Sequence, residues 1–135
     1  MIDCDGLSMV RRTITALVCA AALLAAAGCG ETDQEQAREV VQDYVDARNE
    51  GDFALVCDLY SDSFKQQLAI GENCAAFVEE QTSGAGGQLS VADVHVNDDR
   101  ATADLDVSEG SEGPSRIALV LEREDDGEWK ITGIQ

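Results

Sequence analysis

Few residues in this chain could do chemistry. His95 is the single histidine in 135 residues. It lies between Val94 and Val96, so in an extended strand it points away from the face those valines share. Asp93 stands on its side of the strand. On an outer surface that pair is a cross-pleat neighbour and not a catalytic dyad. Asp98-Asp99 and Asp125-Asp126-Gly127 invite calcium, but neither has the ligand spacing of a loop closed by a bidentate Glu. Both read as turns, and no metal site is expected. Ser83-Gly84-Ala85-Gly86-Gly87 lacks the lysine and the following helix of a phosphate-binding loop. It reads as a flexible connection, and no cofactor is expected.

The charge balance narrows the partners. Nine Lys/Arg stand against 27 Asp/Glu, for a net charge of −18. Such a surface repels phosphates, which excludes nucleic acid. It equally excludes adsorption to an anionic membrane through a basic patch. Apolar residues make up 44% of the chain, an ordinary globular share, while aromatics are only 4%, so the core must be mostly aliphatic.

Residues 1–28 read as a signal peptide. Arg11 and Arg12 form a basic n-region, and an apolar stretch follows from Ile14 to Ala27. That stretch is too short and small-sided for a membrane span, which needs about 20 apolar residues. It ends in Ala26-Ala27-Gly28-Cys29. This resembles the lipobox of bacterial lipoproteins, in which the cysteine becomes the acylated first residue of the mature chain. An ordinary secretory signal with an incidental cysteine is the alternative. Asp3 and Asp5 are unwelcome in an n-region, so Met9 is a second candidate start, and the paired arginines leave twin-arginine export open beside the general route. An anchor of two or more acyl chains holds a protein stably at a bilayer. The expectation is an exported protein held by lipid on the outer face of the cell membrane. Residues 29–34 would supply the lipidated cysteine and a tether on the order of 13 Å. Arg11 and Arg12 offset Asp3 and Asp5, so the whole −18 falls on the mature part.

Five cysteines are an odd number for export. Cys4 and Cys19 leave with the signal and Cys29 is acylated, so Cys57 and Cys74 remain as a pair in an oxidising compartment. A disulfide follows, with two buried free thiols or a reactive thiol as alternatives. The spacing and the single histidine argue against zinc.

The rest of the chain, 35–135, reads as one domain. Ala37, Val40, Val41, Tyr44, Val45 and Arg48 recur at helical spacing, which predicts a helix over Glu35–Glu50. Thr32 or Asp33 can cap its start and Gly51 suits its end. Glu35, Glu39, Asp43, Asp46 and Glu50 make its solvated face. Asp52 caps a short helix, Phe53 to Leu59. Ser61 or Asp62 starts a further turn through Phe64 and Leu68. Gly71 breaks the chain, and Asn73 can cap a helix from Cys74 to Gln81. After Gly87 the period becomes two, which predicts strands over Leu89–Val96, Arg100–Val107, Arg116–Arg123 and Glu128–Ile134. Helices followed by an antiparallel meander make an α+β fold.

The segments Val40-Val41-x-x-Tyr44-Val45, Asn49-Glu50-Gly51-Asp52-Phe53 and Asp126 to Ile134 resemble the opening and closing segments of nuclear transport factor 2-like (cystatin-like) domains. The cysteines in Val56-Cys57-Asp58-Leu59-Tyr60 and Asn73-Cys74-Ala75-Ala76-Phe77 are similar to those of small secreted actinobacterial members, many of them lipoproteins of unknown function. The resemblance implies N-terminal helices packed on a curved four-stranded antiparallel sheet, with a conical cavity between them. It implies binding of a small apolar ligand or a protein partner, and a homodimer paired through the sheet. Tyr44, Phe53, Tyr60, Phe64 and Trp129 are candidates to line a pocket, though core filling explains them as well. The alternative is an isomerase- or dehydratase-like enzyme. It would use Asp58 or Asp62 as general base and Tyr60 or Tyr44 as donor, which requires an Asp in an apolar pocket. Helix capping explains those aspartates equally, so the expectation is binding without catalysis.

Overall fold

The computed structural model describes residues 32–108 and 113–135. The expected signal peptide, Cys29, the expected tether up to Glu31 and part of the loop before Pro114 lie outside the described residues. Among the described residues, no helix is long and apolar enough to cross a membrane.

Helix α1 (Asp33–Glu50) begins with a capping box. The Thr32 hydroxyl accepts from the Glu35 N–H, and the Glu35 carboxylate accepts from the Thr32 N–H at 2.9 Å. It ends at Gly51, whose φ of 81° is a left-handed conformation that a Cβ would disfavour. Ala37, Val41, Tyr44, Val45 and Ala47 are its buried residues. Asp52 caps α2 (Phe53–Leu59) and Ser61 caps α3 (Asp62–Gln67). A 3₁₀ turn, Gly71–Asn73, leads into α4 (Cys74–Ala85). Asn73 makes no side-chain cap there, and α4 runs past Gln81 into the glycine-rich segment. Thr82 and Ser83 hydroxyls donate to carbonyls one turn back, which is how polar residues persist in that last turn. A disulfide joins Cys57 on α2 to Cys74 on α4, so the expected cysteine pairing is present.

Helix α3 stops at Gln67, four residues before the glycine expected to break it. Ala69 takes φ 54°, and Ile70 N–H donates to the Lys65 carbonyl at 3.3 Å, closing a Schellman-type end. Ile70 is buried in the core, and its insertion compensates for an alanine in a glycine-type conformation.

The strands β1 (Gln88–Asn97), β2 (Arg100–Ser108), β3 (Ser115–Arg123) and β4 (Trp129–Ile134) form one antiparallel sheet in the order β1-β2-β3-β4. The inward residues of β1 change parity along the strand, from Leu89 and Val91 to Val94 and Val96. A bulge between Val91 and Asp93 makes this possible, leaving Ala92 without a partner. Ala101, Ala103 and Leu105 of β2, Leu119 and Leu121 of β3, and Trp129 and Ile131 of β4 complete the inner face. Helix α1 lies across that face, packing on β1 and reaching β4. The helices thus cover one side of an open sheet, the α+β arrangement expected from the sequence.

Candidate functional site

The centre of the helix–sheet interface is a tyrosine pair beside an arginine. Tyr44 comes from the middle of α1 and is fully buried. Tyr60 follows α2, where the chain turns back along β4. Its segment is pinned there by a parallel bridge between Tyr60 and Ile131, and by the Ser61 N–H donating to the Ile131 carbonyl at 2.9 Å. The Cys57–Cys74 bond fixes the same helix from behind. The two tyrosine rings lie 6.3 Å apart, and Phe64 stands edge-on to Tyr60 at 5.1 Å.

Arg48 is one turn after Tyr44 on the stripe of α1 that faces the core. Its Nη1 donates to the Tyr44 hydroxyl oxygen at 3.1 Å, and its guanidinium carbon lies 5.7 Å from the Tyr44 ring centroid. Its Nε is buried and has no acceptor among the described residues. Burial pushes both tyrosine pKa values above 10.0 and outweighs the opposing pull of Arg48. Tyr60 is raised further by its neighbour Tyr44. Both hydroxyls therefore stay protonated at neutral pH. The cluster combines one guanidinium, which only donates, with two neutral phenols, which can both donate and accept.

The candidate residues named from the sequence separate into two groups. Tyr44, Tyr60, Phe64 and Trp129 are all in the buried cluster, and Phe53 packs against it partly buried. Trp129 also lines a groove of about 420 Å³ between α1 and the β3–β4 hairpin, with Val40 and Leu59 as its apolar neighbours. Its indole Nε1 has no acceptor among the described residues. The aspartates go elsewhere. Asp58 is exposed on the outer side of α2. Asp62 has a side chain 90% exposed and pairs with Lys65 at 3.2 Å. Apart from Tyr44, Tyr60 and Trp129, the one buried polar or charged residue among the described residues is Ser61, which caps α3.

His95 and Asp93 do meet, at 2.8 Å, on the outer face of β1, with the histidine side chain 76% exposed. The acidic turns are engaged in local bonding. Asp126 accepts from the Glu128 N–H, and Asp99 accepts from Arg123, which also reaches Asp33 at the start of α1. Arg48 was the functional candidate that sequence reasoning passed over. Its signal was present: a cation at an apolar position of the helical pattern.

No family model matches the chain, and no curated protein matches it. Solved structures do. A candidate dehydratase of the nuclear transport factor 2-like family from Streptomyces avermitilis is similar with a TM-score of 0.52 and 17% identity, covering 76% of this chain and 92% of that one. A candidate ketosteroid isomerase from Shewanella frigidimarina matches with a TM-score of 0.52 and 19% identity over 73% of this chain and 92% of its own. A designed nuclear transport factor 2-like protein matches at 0.55 and 15% identity, over 77% and 98%. At these identities the likeness establishes the fold and leaves the activity to the residues.

Proposed function

We propose that this chain, which has the nuclear transport factor 2-like fold, is a lipid-anchored extracytoplasmic domain that binds a small apolar ligand and does not catalyse a reaction. The observation that carries the reading is the placement of the acid–base candidates. A general base working at a carbon acid needs a carboxylate held in an apolar site, within reach of its proton. Asp58 and Asp62 stand in water, while the interior beside Tyr44 and Tyr60 holds a guanidinium and two neutral phenols. Such groups, with no carboxylate buried beside them among the described residues, suit recognition. The isomerase- or dehydratase-like alternative would draw its base from those same exposed aspartates.

The anchor half of the proposal rests on Ala26-Ala27-Gly28-Cys29 behind the basic and apolar segments. A lipidated Cys29 would place the acidic domain within a short tether of the headgroups, where its charge would hold it off an anionic surface. Cys29→Ala should release the exported protein from the membrane fraction; continued partitioning of that variant would refute the anchor. For the binding half, native protein extracted from its membrane should carry a small molecule identifiable by mass spectrometry. Stoichiometric recovery of a protein and no small molecule would replace the ligand reading with a protein partner.

A further inference from the structure

We propose that Gln34, Asn49 and Asp93 close the free edge of β1 against pairing with a second copy of this chain. The proposal does not depend on the ligand reading above. β1 is hydrogen-bonded to β2 on one side, and its other side is an edge of the sheet. An edge strand is a template for another strand. Every copy carries the same edge, and an antiparallel β1 complements it about a two-fold axis. The opposite edge is covered by backbone, since Tyr60 and Ser61 lie along β4 at Ile131. In an antiparallel strand, alternate residues bond to the neighbour and the others turn their N–H and C=O outward. Asn97 pairs with Arg100 across the two-residue turn, so Asn97, His95 and Asp93 bond toward β2 while Val96 and Val94 face out. The bulge shifts the phase, and beyond it Val91 and Leu89 face out.

Side chains already fill two of these four residues completely. Asn49 Nδ2 donates to the Leu89 carbonyl and its Oδ1 accepts from the Leu89 N–H, each at 2.9 Å. Gln34 Nε2 donates to the Val94 carbonyl at 2.6 Å, and Asp93 Oδ1 accepts from the Val94 N–H at 2.9 Å. His95 holds the other Asp93 oxygen. An incoming strand must bond to successive outward residues. The bulge divides the edge into two pairs, Leu89 with Val91 and Val94 with Val96. One member of each pair is closed, so no two successive outward residues of β1 stay open. Helix capping does not explain these amides, because Thr32 with Glu35 and Gly51 already finish the two ends of α1. Tying α1 to the sheet accounts for Asn49 and Gln34. It does not account for Asp93, whose bonds are to its own strand. Closure of the edge accounts for all three, and a carboxylate on the edge adds charge repulsion between copies.

The test uses the full chain, with Cys29→Ala in every version so that lipid does not drive association. Gln34→Ala with Asp93→Ala opens Val94, and adding Asn49→Ala opens Leu89 as well. Sedimentation equilibrium in about 0.3 M salt, which screens the repulsion between acidic copies, reads association. Amide hydrogen exchange at low and high protein concentration locates the contact. The triple variant should associate about tenfold or more tightly than the reference, the worth of roughly one net backbone bond. Exchange at Leu89, Val91, Val94 and Val96 should then be slower at high concentration than at low. Association equal to the reference, or protection gained on another strand instead of β1, would overturn the proposal. If the triple variant does not fold, the Gln34→Ala, Asp93→Ala variant decides, because it leaves the Asn49 clamp intact. Tighter association with slowed exchange at Val94 and Val96 would support edge closure, and a variant that associates no more than the reference would overturn it.

Discussion

Asn49 holds the first turn of the sheet by a two-way clamp on Leu89. Its Nδ2 donates to the Leu89 carbonyl and its Oδ1 accepts from the Leu89 N–H, each at 2.9 Å. The residue that follows Arg48 thus ties the end of α1 to the start of β1 across 40 residues of sequence. Arg48 and Tyr44 gain their position from it, because the last turn of α1 cannot swing away from the sheet while the clamp holds.

Breaking the clamp should therefore loosen the helix end. Asn49→Ala removes both bonds and should lower unfolding free energy by about 1–2 kcal/mol, read as a lower urea midpoint at constant slope. Asn49→Asp keeps the acceptor and faces the Leu89 carbonyl with a second oxygen, so it should lose at least as much. A variant as stable as the parent would show the clamp to be incidental.

Reduction should be costlier. The Cys57–Cys74 bond closes a loop with a sequence separation of 17. Chain entropy assigns it roughly 3 kcal/mol, a large share of the stability of a small domain. Urea unfolding with and without reductant measures this directly, and Cys57→Ser with Cys74→Ser should reproduce the reduced midpoint.

Alkaline titration offers a clean optical test, because Tyr44 and Tyr60 are the only two tyrosines. Their folded pKa values lie above the unfolded 10.0, so the native state holds protons that the unfolded chain gives up. The stability this contributes is fully present below about pH 10 and is lost as pH rises from there toward the folded values. Stability should fall above pH 10 by as much as about 1.4 kcal/mol per pH unit per tyrosine. Phenolate absorbance should stay absent until the protein unfolds and then appear in one step. A gradual rise near pH 10 in the folded protein would contradict the burial of the pair.

Ala69 offers a gain. It occupies φ 54°, disfavoured for a residue with a Cβ, and it is exposed. Ala69→Gly relieves that strain but adds freedom to the unfolded chain. The balance should be a stabilisation of about 0.5 kcal/mol in urea. A loss of stability would mean that the left-handed helix end is not formed in solution.

By contrast His95→Ala, on the outer face of β1, should change stability by less than about 0.5 kcal/mol, since its side chain is mostly exposed and its ion-pair partner Asp93 is exposed too. A larger loss in the same urea assay would place that pair in the structure in a way its exposure does not suggest.

Much of the fold was readable from local patterns, because those patterns are local physics. The 3.6-residue spacing of Val41, Tyr44 and Val45, the cap at Thr32, Gly51 after α1 and the period-two strands each express a preference of neighbouring residues. The cysteine pair followed from an odd count of five, once Cys4 and Cys19 were assigned to the expected signal and Cys29 to the expected acylation. The bulge at Ala92 was half visible in the parity change from Val91 to Val94. The end of α3 at Ala69 was not visible, since no glycine marks it; it depends on Ile70 reaching a core that other segments build.

The site lies beyond that limit for the same reason. On sequence alone, Asp58, Tyr60 and Asp62 are one short segment, and nothing local says which of them turns inward. The tertiary structure decided it through the bridge to Ile131 and the cap at Ser61, which turn Tyr60 toward Tyr44 and leave both aspartates in water. The sequence by itself determined the class of elements, the disulfide partners and the acidic character of the surface, which depend on composition and near neighbours. Only the packing of α1 against the turn after α2 could bring Arg48 and two tyrosines together with no matching carboxylate among the described residues, because that depends on contacts between residues far apart in the chain.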